Sequence, residues 1–405
     1  MSQLSNPKNT QYLFIDMNSF FASCEQQANP LYRNKPIAVT PVNCDNGCIV
    51  SASYDAKAKE IKTGTLVKEA KRLCPNIIIR ESNTYLYIDY HRKIVKILES
   101  FSPFLSIRSV DEAVIKLSPS EQNTSIAMEI GRKIKQKIQQ NVGEYLKSSI
   151  GIGLNVFLAK QATEFRKPDG LYEIKLENLE WYYQQIKLTD IKGIAQGMER
   201  QLYERKIYTP LDFYHSTQED LMDKLGAVGN YWYLKLHGYD LDEKVLETPK
   251  TVGHSHVLEP KYRNWNSTWA VCQKLMEKVA YRLRAYGLKT NGVYLGVRFY
   301  NGGFSKRIKT SPFSDSRTLT RIIYRLWKEI DKNNTPFKIS VTLYDLTRSP
   351  AQQLKLFTSM NKDEAISVTM DLINDKYGAF SLKPASILSA EKSAPDRIAF
   401  GRPIY

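Results

Sequence analysis

The feature that most constrains the fold is an apolar segment that ends on a carboxylate, YLFIDMNSFFASCEQQ over residues 12–27. The apolar residues ahead of Asp16 favour β structure, so they predict a short buried strand with Asp16 at its end. Asn18 or Ser19 can cap a helix that follows. An ordinary capped strand-to-helix turn with phenylalanines in the core also explains this stretch, so the rest of the chain must decide.

A second acidic feature lies in SIRSVDEAVIKL, residues 106–117, where apolar and polar residues alternate on both sides of Asp111 and Glu112. This alternation predicts a hairpin. Neighbours in a regular strand face opposite sides, so the two carboxylates converge only if a turn or bulge occurs between the strands. Two solvated charges at a hairpin tip are the alternative reading of this pair.

Together the two features can place three carboxylates at one edge of a sheet. Unpaired carboxylates repel one another, and divalent cations remove that repulsion. Oxygen ligands of this kind suit magnesium, which also keeps substrate phosphates and water in its shell. Two such ions about 4 Å apart form the clamp used for phosphoryl or nucleotidyl transfer.

Composition points to a polyanionic partner. The net charge is +16, and residues 250–348 hold 19 Lys and Arg against 6 Asp and Glu. This concentration predicts a phosphate-binding surface. We find no apolar run long enough to span a membrane and no secretory signal, so a cytoplasmic protein is expected. The five scattered cysteines predict neither a disulfide framework nor a zinc site.

The pattern of strands and helices divides the chain into four parts. Residues 12–174 mix short strands with amphipathic helices, as in an α+β domain, and residues 177–246 are helical and punctuated by glycine. Residues 251–348 predict the order strand, helix, two strands, helix, strand. Beyond residue 349 we expect a tail with one helix.

Five motifs in this order resemble those of the Y-family translesion DNA polymerases, the bacterial polymerase IV and V kind. They are DMNSFFASCE, SASYDAKAKEIKTG, SVDEA, FRKPDG and PDRIAFGRP, and they extend over nearly the whole chain. The resemblance implies a multidomain α+β right-hand polymerase. Its palm would be residues 1–176 with fingers inserted at about 25–85, its helix-hairpin-helix thumb residues 177–246, its β-α-β-β-α-β little finger residues 247–348, and its C-terminal tail residues 349–405.

The resemblance also implies the roles of the site residues. Two magnesium ions would be held by the carboxylates of Asp16, Asp111 and Glu112 and the carbonyl of Met17. Phe21 would be the steric gate that excludes a ribonucleotide's 2′-hydroxyl, whereas Phe20 is expected in the core. Tyr54, Lys57 and Lys167 would contact the triphosphate. Small residues at 51–53 would leave room over the nascent base pair.

The sequence departs from the polymerase IV pattern at two of these positions. Lys57 stands where that pattern has an arginine, so a point charge replaces a bidentate fork. Asn18 replaces the aspartate common in polymerase IV and resembles the polymerase V version. We do not count Asn18 as a metal ligand.

Contacts with primer–template DNA are expected in the thumb and the little finger. Two thumb segments, IKGIAQG and LGAVGN, resemble helix-hairpin-helix loops, and the candidates are Gly193 and Gly197 of the first, which could equally be plain helix stops. The little-finger candidates are basic residues, namely Arg282, Arg284, Arg298, Lys306, Arg307 and Lys309. The segment QLKLF resembles the pentapeptide that docks bacterial polymerases on the sliding clamp, with Gln353, Leu354, Leu356 and Phe357 as anchors.

The sequence therefore predicts a low-fidelity, template-directed DNA polymerase that uses deoxynucleoside triphosphates, copies past lesions and acts as a monomer. Two alternatives stay open at this point. A nucleotide cyclase or signalling synthase can use a similar Asp-Glu hairpin, but it needs neither the basic segment nor a clamp motif. A non-catalytic DNA-binding accessory protein could keep the fold, but it would be expected to have lost an acidic ligand.

Overall fold

The computed structural model describes residues 9–241, 249–348 and 360–395 of the chain. These residues form two compact units, which are described separately. The first unit runs from residue 9 to 241, and the second contains residues 249–348 and 360–395. None of the helices in these ranges is both long enough and apolar enough to cross a membrane.

The first unit alternates strands with helices and then becomes entirely helical. Its elements are β1 (Tyr12–Met17), α1 (Phe20–Ala28), β2 (Ile37–Thr40), β3 (Ser51–Ala52), α2 (Tyr54–Lys57), α3 (Val67–Leu73), β4 (Ile78–Glu81), α4 (Thr84–Glu99), β5 (Leu105–Ile107), β6 (Glu112–Lys116), α5 (Thr124–Asn141), β7 (Ser148–Gly153), α6 (Val156–Phe165), β8 (Leu171–Ile174), α7 (Leu179–Gln184), α8 (Gln196–Glu204), α9 (Pro210–His215), α10 (Gln218–Leu225) and α11 (Ala227–Leu236).

Strand β1 is the middle strand of a five-stranded sheet with the order β5-β6-β1-β7-β8. All six of its residues are buried, because it pairs antiparallel with β6 on one side and β7 on the other. Leu13 and Ile15 pack into a core with α4 and α5, and Phe14 packs on the opposite face beside Ala159 of α6. The apolar run ahead of Asp16 is therefore buried on both faces of the sheet.

Two further groups of elements complete the first unit. Strands β3, β2 and β4 form a separate three-stranded sheet with α2 and α3 around it. Helices α7 to α11 share a core with α6, in which Leu158, Tyr183, Phe213 and Trp232 are buried. The helical stretch expected after residue 177 is present and packs on the last helix before it.

The second unit has the order that the sequence predicts: strand, helix, two strands, helix, strand. Its elements are β9 (Thr251–Val257), α12 (Trp265–Ala285), β10 (Leu288–Arg298), β11 (Gly303–Phe313), α13 (Ser316–Lys328), β12 (Lys338–Arg348) and α14 (Met360–Tyr377). The four strands form one antiparallel sheet in the order β11-β10-β12-β9. Helices α12 and α13 cover one face of this sheet, where Val293, Leu295 and Val297 are fully buried.

Residues 360–395, which the sequence suggests are a tail, belong to this second unit. Helix α14 packs through polar residues, since Asp363 and Ser367 are buried while Val368 and Leu372 are 45% and 65% exposed. Asp363 forms ion pairs of 2.9 and 2.7 Å with Arg317 and Arg321 of α13. An apolar pattern could not reveal this contact, because the helix is held mainly by charge.

The segment after α14 is hydrogen-bonded to two lysines of α12. The buried ammonium of Lys274 donates hydrogen bonds of 2.7 Å to the carbonyls of Glu391 and Ser393. Lys278 donates one of 2.6 Å to the carbonyl of Ala394. These bonds satisfy two buried ammonium groups with backbone oxygens, which explains how a polar segment folds against the second unit.

Candidate active site

The register of the first sheet places two of the predicted carboxylates on one face. Asp16 lies directly opposite Glu112 in the pairing of β1 with β6, and opposite residues of an antiparallel pair project from the same face. The backbone N–H groups of Arg108 and Ser109 both donate to the carbonyl of Glu112. This irregular turn is the feature that the sequence analysis requires if Asp111 is to join the other carboxylates.

Asp16 and Asp111 meet in a cavity of about 200 Å³ at the end of β1. The same cavity holds most of the residues expected to touch a nucleotide. Its lining consists of Asp16, Met17, Ser19, Phe20, Phe21, Val50, Ser51, Ala52, Lys57, Thr63, Asp111 and Lys167. Glu112 and Tyr54 border this group but do not line the cavity.

Lys167 is shared by two carboxylates. Its ammonium lies 2.9 Å from an oxygen of Asp16 and 2.9 Å from an oxygen of Glu164. Burial raises the pKa of Asp16 to about 6, and the charge of Lys167 offsets only part of that rise. The Asp16 carboxylate therefore remains short of positive charge.

Burial also shifts the pKa values of Asp111 and Lys57, in each case against the charged form. Burial raises the pKa of Asp111, the hydroxyl of Ser109 donates to the carboxylate and opposes that rise, and the charge of Glu112 adds to it. Burial lowers the pKa of Lys57, and the nearby charge of Lys167 lowers it further. The cavity thus brings two carboxylates, Asp16 and Asp111, together with two lysines, Lys57 and Lys167.

Glu112 has its own cationic partner, Lys160 of α6, at 2.7 Å. Within residues 9–241, 249–348 and 360–395, no three His, Cys, Asp or Glu side chains are arranged to hold a metal ion. The donors that fit a divalent cation are Asp16, which is buried, and Asp111, which is half-buried, because both carboxylates line one cavity and burial raises the pKa of each. Glu112 would have to leave Lys160 to join them.

The sequence analysis did not single out Lys160, although a signal was available. Lys160, Glu164 and Lys167 are spaced by four and three residues, which places them along one face of α6 and its end. That face packs on β1, since Lys160 lies 5.2 Å from the ring of Phe14. The spacing predicts a charged stripe directed at the strand-end carboxylates.

Both phenylalanines of the opening motif line the cavity, and they differ in what supports them. Phe21 stacks on the ring of Tyr87 in α4, with centroids 4.5 Å apart and planes 18° apart. The hydroxyl of Tyr87 donates to Glu25 at 2.8 Å, so the supporting ring is itself fixed. Phe20 lies 5.9 Å from Phe21 at a 50° tilt. Tyr87 is a further site residue that the sequence analysis did not identify.

The turn between β1 and α1 differs from the expected cap. Ser19 stands at the N-cap position in a left-handed conformation with φ of 48°, and its side chain makes no capping hydrogen bond. Asn18 uses its side chain elsewhere, on Ser149 and the backbone of Asp169. The expectation that either residue caps α1 is wrong, because the strained turn directs Ser19 toward the cavity instead.

The other nucleotide candidates lie on α2. Ser53 caps this helix by accepting from the N–H of Ala56, and Lys57 lies 4.3 Å from the ring of Tyr54. Lys57 reaches the cavity, whereas Tyr54 stands behind it. The contact of these residues with a triphosphate stays a prediction.

The two thumb glycines have different surroundings. Gly193 has φ of +103°, and a Cβ there would meet the ring of Trp232 at 3.2 Å, so glycine suits this position structurally. Gly197 is the second residue of α8 and has open space around it. Helix α8 has no side-chain cap, which is compatible with phosphate contact at its N-terminus and does not test it.

The six basic candidates of the second unit divide between the two faces of its sheet. Arg307 and Lys309 are opposite Tyr294 and Gly292, on the face away from the buried Val293 and its helices. Arg298 projects from that same face, which we call the open face.

The other basic candidates lie elsewhere and have protein partners. Lys306 is on the helix-covered side and pairs with Glu329 at 2.6 Å. The guanidinium of Arg284 is only 8% exposed and binds both oxygens of Asp371, at 2.6 and 2.8 Å. Arg282 donates to the carbonyl of Gly253. The expected clamp anchors, Gln353, Leu354, Leu356 and Phe357, lie outside the described residues.

Family models match both units. A model of the impB/mucB/samB family matches residues 15–164, and a model of the C-terminal domain of that family matches residues 249–356. The first of these matches contains Asp16, Phe21, Asp111 and Glu112. The second contains the four-stranded sheet.

Individual proteins match over nearly the full length. DNA polymerase IV of Pelotomaculum thermopropionicum is 30% identical over 393 residues, which are 93% of this chain and 96% of that protein. DNA polymerase IV 1 of Bacillus subtilis is 27% identical over 410 residues, 98% of each protein. A Y-family DNA polymerase chimera of known structure has a similar fold, with a TM-score of 0.73 and 22% identity over 84% of this chain and 100% of that one.

Proposed function

The chain belongs to the Y family of DNA polymerases and is a DNA-directed DNA polymerase, and we propose that it copies past damaged template bases by two-metal nucleotidyl transfer. The observation that carries this proposal is the cavity in which Asp16 and Asp111 face Lys57 and Lys167, with the ring of Phe21 in its wall. Primer–template DNA and deoxynucleoside triphosphates are the substrates. The cyclase and accessory-protein alternatives are not retained, because the full-length relatives are DNA polymerases.

The metal site would consist of Asp16, Asp111, Glu112 and the carbonyl of Met17, with magnesium as the ion. The ions, when bound, would activate the primer 3′-hydroxyl and neutralise the triphosphate. Asp16 and Asp111 fit this role because burial raises the pKa of each, so that added positive charge would favour their anionic form. Lys167 donates to Asp16 and Glu164, which leaves the third N–H of its ammonium for a triphosphate.

Sugar selection is assigned to Phe21. Its ring is buried and stacked on Tyr87, and Tyr87 is hydrogen-bonded to Glu25. The ring of Phe21 therefore cannot easily move to admit a 2′-hydroxyl. Damage tolerance is assigned to the small residues at 51–53. Ser51 and Ala52 line the cavity and would leave room over a distorted base pair, whereas Ser53 caps α2 and does not line it.

The open face of the second unit is proposed as the phosphate-binding surface of the little finger. Its side chains are small or polar along β9, β10 and β12, and Arg298, Arg307 and Lys309 supply the positive charge. We also propose that Gln353–Phe357 docks on the sliding clamp, a proposal that rests on the sequence alone. The thumb phosphate contacts, a monomeric state and a cytoplasmic location stay predictions.

Removal of the proposed ligands on β6 tests the chemistry. We expect Asp111→Ala/Glu112→Ala to reduce primer extension on undamaged and abasic templates by about 10³-fold or more, because lost metal contacts remove several kcal/mol of transition-state stabilisation. Binding of labelled primer–template should persist. Glu99→Ala, at an exposed position of α4, is the matched control. Extension by the double variant at the native rate would contradict the assignment, and failure of the native protein to pass an abasic site would contradict translesion synthesis.

The sugar gate is tested by comparing the two adjacent phenylalanines. We expect Phe21→Ala to lower the preference for deoxy- over ribonucleotides, measured as a ratio of kcat/KM values, by at least about 10-fold. Phe20→Ala removes the same ring from the same cavity wall and should keep most of the preference. Thermal unfolding is followed for both, since truncation of a buried Phe costs about 3–5 kcal/mol. Equal loss of preference in both variants would argue against a gate at Phe21.

Two consecutive residues of β11 test the open face. We expect Arg307→Ala to weaken DNA binding and to lower the slope of log Kobs against log salt by about 0.9, as for one lost phosphate contact. Lys306→Ala removes a charge at the neighbouring position on the other face, where Glu329 already pairs with it. Its slope should stay at the native value. An equal change of slope for Lys306→Ala would show that DNA binding depends on the net charge and not on which face of the sheet carries it.

The clamp proposal is tested by direct binding. We expect Leu356→Ala/Phe357→Ala to weaken binding to a purified bacterial sliding clamp by at least about 10-fold, because apolar anchors carry most of the energy of such small interfaces. Lys355→Ala, between the anchors, should bind as the native chain does. If the double variant binds the clamp with native affinity, QLKLF is not the docking site.

A further inference from the structure

Asn18 lies two residues after Asp16 and is almost fully buried, at 3% exposure. All of its polar groups have partners. Its backbone N–H donates to the carbonyl of Lys147 at 2.8 Å, and its carbonyl accepts from the hydroxyl of Ser23 at 2.7 Å. Its side-chain Nδ2 donates to Ser149 at 2.9 Å, and its Oδ1 accepts from the backbone N–H of Asp169 at 2.7 Å.

The last of these bonds reaches the loop that carries Lys167. Asp169 has φ of 58°, a left-handed conformation that directs its N–H at Asn18. The next N–H, that of Gly170, points at the hydroxyl of Ser149, at 3.4 Å. Two successive backbone groups of the loop are therefore bound by Asn18 and by the serine that Asn18 itself holds.

A second side chain fastens the loop from the direction of α5. The ammonium of Lys135 donates to the backbone carbonyls of Ser148, Asp169 and Gly170. It also pairs with the carboxylate of Asp169 at 2.7 Å. The loop is thus held from both sides at Asp169 and Gly170, two and three residues after Lys167.

We propose that Asn18 is a positioning residue for Lys167. It fixes the position of the loop that carries Lys167 relative to Asp16, so that the ammonium can contact the incoming triphosphate. The inference rests on the proposed role of Lys167. Asn18 joins the two features directly, because it follows Asp16 on the same backbone and accepts a hydrogen bond from the loop. It does so as a neutral amide, so it adds no further negative charge beside Asp16 and Asp111.

The chemistry of the contacts predicts which substitutions matter. Both the Asp169 N–H and the Ser149 hydroxyl can donate to a carboxylate, so Asn18→Asp can keep the loop in place. Asn18→Ala loses the acceptor for Asp169 and releases the loop. Lys135→Met releases the same loop from the other side without altering β1.

The test measures single-nucleotide insertion on an undamaged primer–template, with KM for the nucleotide, kcat, and DNA affinity obtained separately. We expect Lys167→Ala to raise KM by about 10-fold and Asn18→Ala to raise it 3- to 10-fold, with DNA affinity unchanged. The double variant should resemble Lys167→Ala alone, because Asn18 would act through Lys167. Asn18→Asp should recover most of the native KM.

The outcomes separate this inference from the function on which it rests. An unchanged KM in Lys167→Ala would overturn the triphosphate role of Lys167. A raised KM in Lys167→Ala together with a native KM in Asn18→Ala, or with effects that multiply in the double variant, would overturn the positioning role of Asn18. If circular dichroism shows that Asn18→Ala does not fold, Lys135→Met is combined with Lys167→Ala instead. Effects on KM that multiply in that double variant would overturn the inference as well.

Discussion

The pairing of β1 with strands on both its sides is the constraint on which the first unit depends. It buries an apolar segment between two layers of helices and fixes which residue of β6 lies opposite Asp16. A slip of one residue would move Glu112 and every apolar side chain of the strand to the wrong face, so the core and the site share one register. The carboxylates of Asp16 and Glu112 are therefore placed by the same strand pairing that forms the core.

The parts of the site that sequence could predict are those with a local signature. Asp16 ends an apolar run and Asp111 interrupts an alternating hairpin, so both are visible without a fold, whereas the role of Phe21 comes from the resemblance to the family. The partners that complete the site are distant in sequence. Tyr87 and Lys160 reach it because α4 and α6 pack on opposite faces of β1, and only the tertiary arrangement brings them there.

In the second unit the order of elements was predictable because strands and amphipathic helices alternate with clear periods. The distribution of its positive charge between the two faces of the sheet was not predictable. Arg307 and Lys306 look alike in sequence, yet the period of two along a strand sends them to opposite faces. Arg284 looks like a surface cation on a helix, yet its side chain is only 8% exposed because it pairs with Asp371 of α14.

The acidic side of α14 has a consequence for the protein as a polyelectrolyte. Asp371 pairs with Arg284, and Asp363 is shared by Arg317 and Arg321, so two carboxylates offset two of these three positive charges on the helix-covered side. A chain shortened after β12 would lose both carboxylates and uncover Arg284, whose side chain is only 8% exposed. The second unit would then be a less directional polycation, although no residue of its sheet had changed.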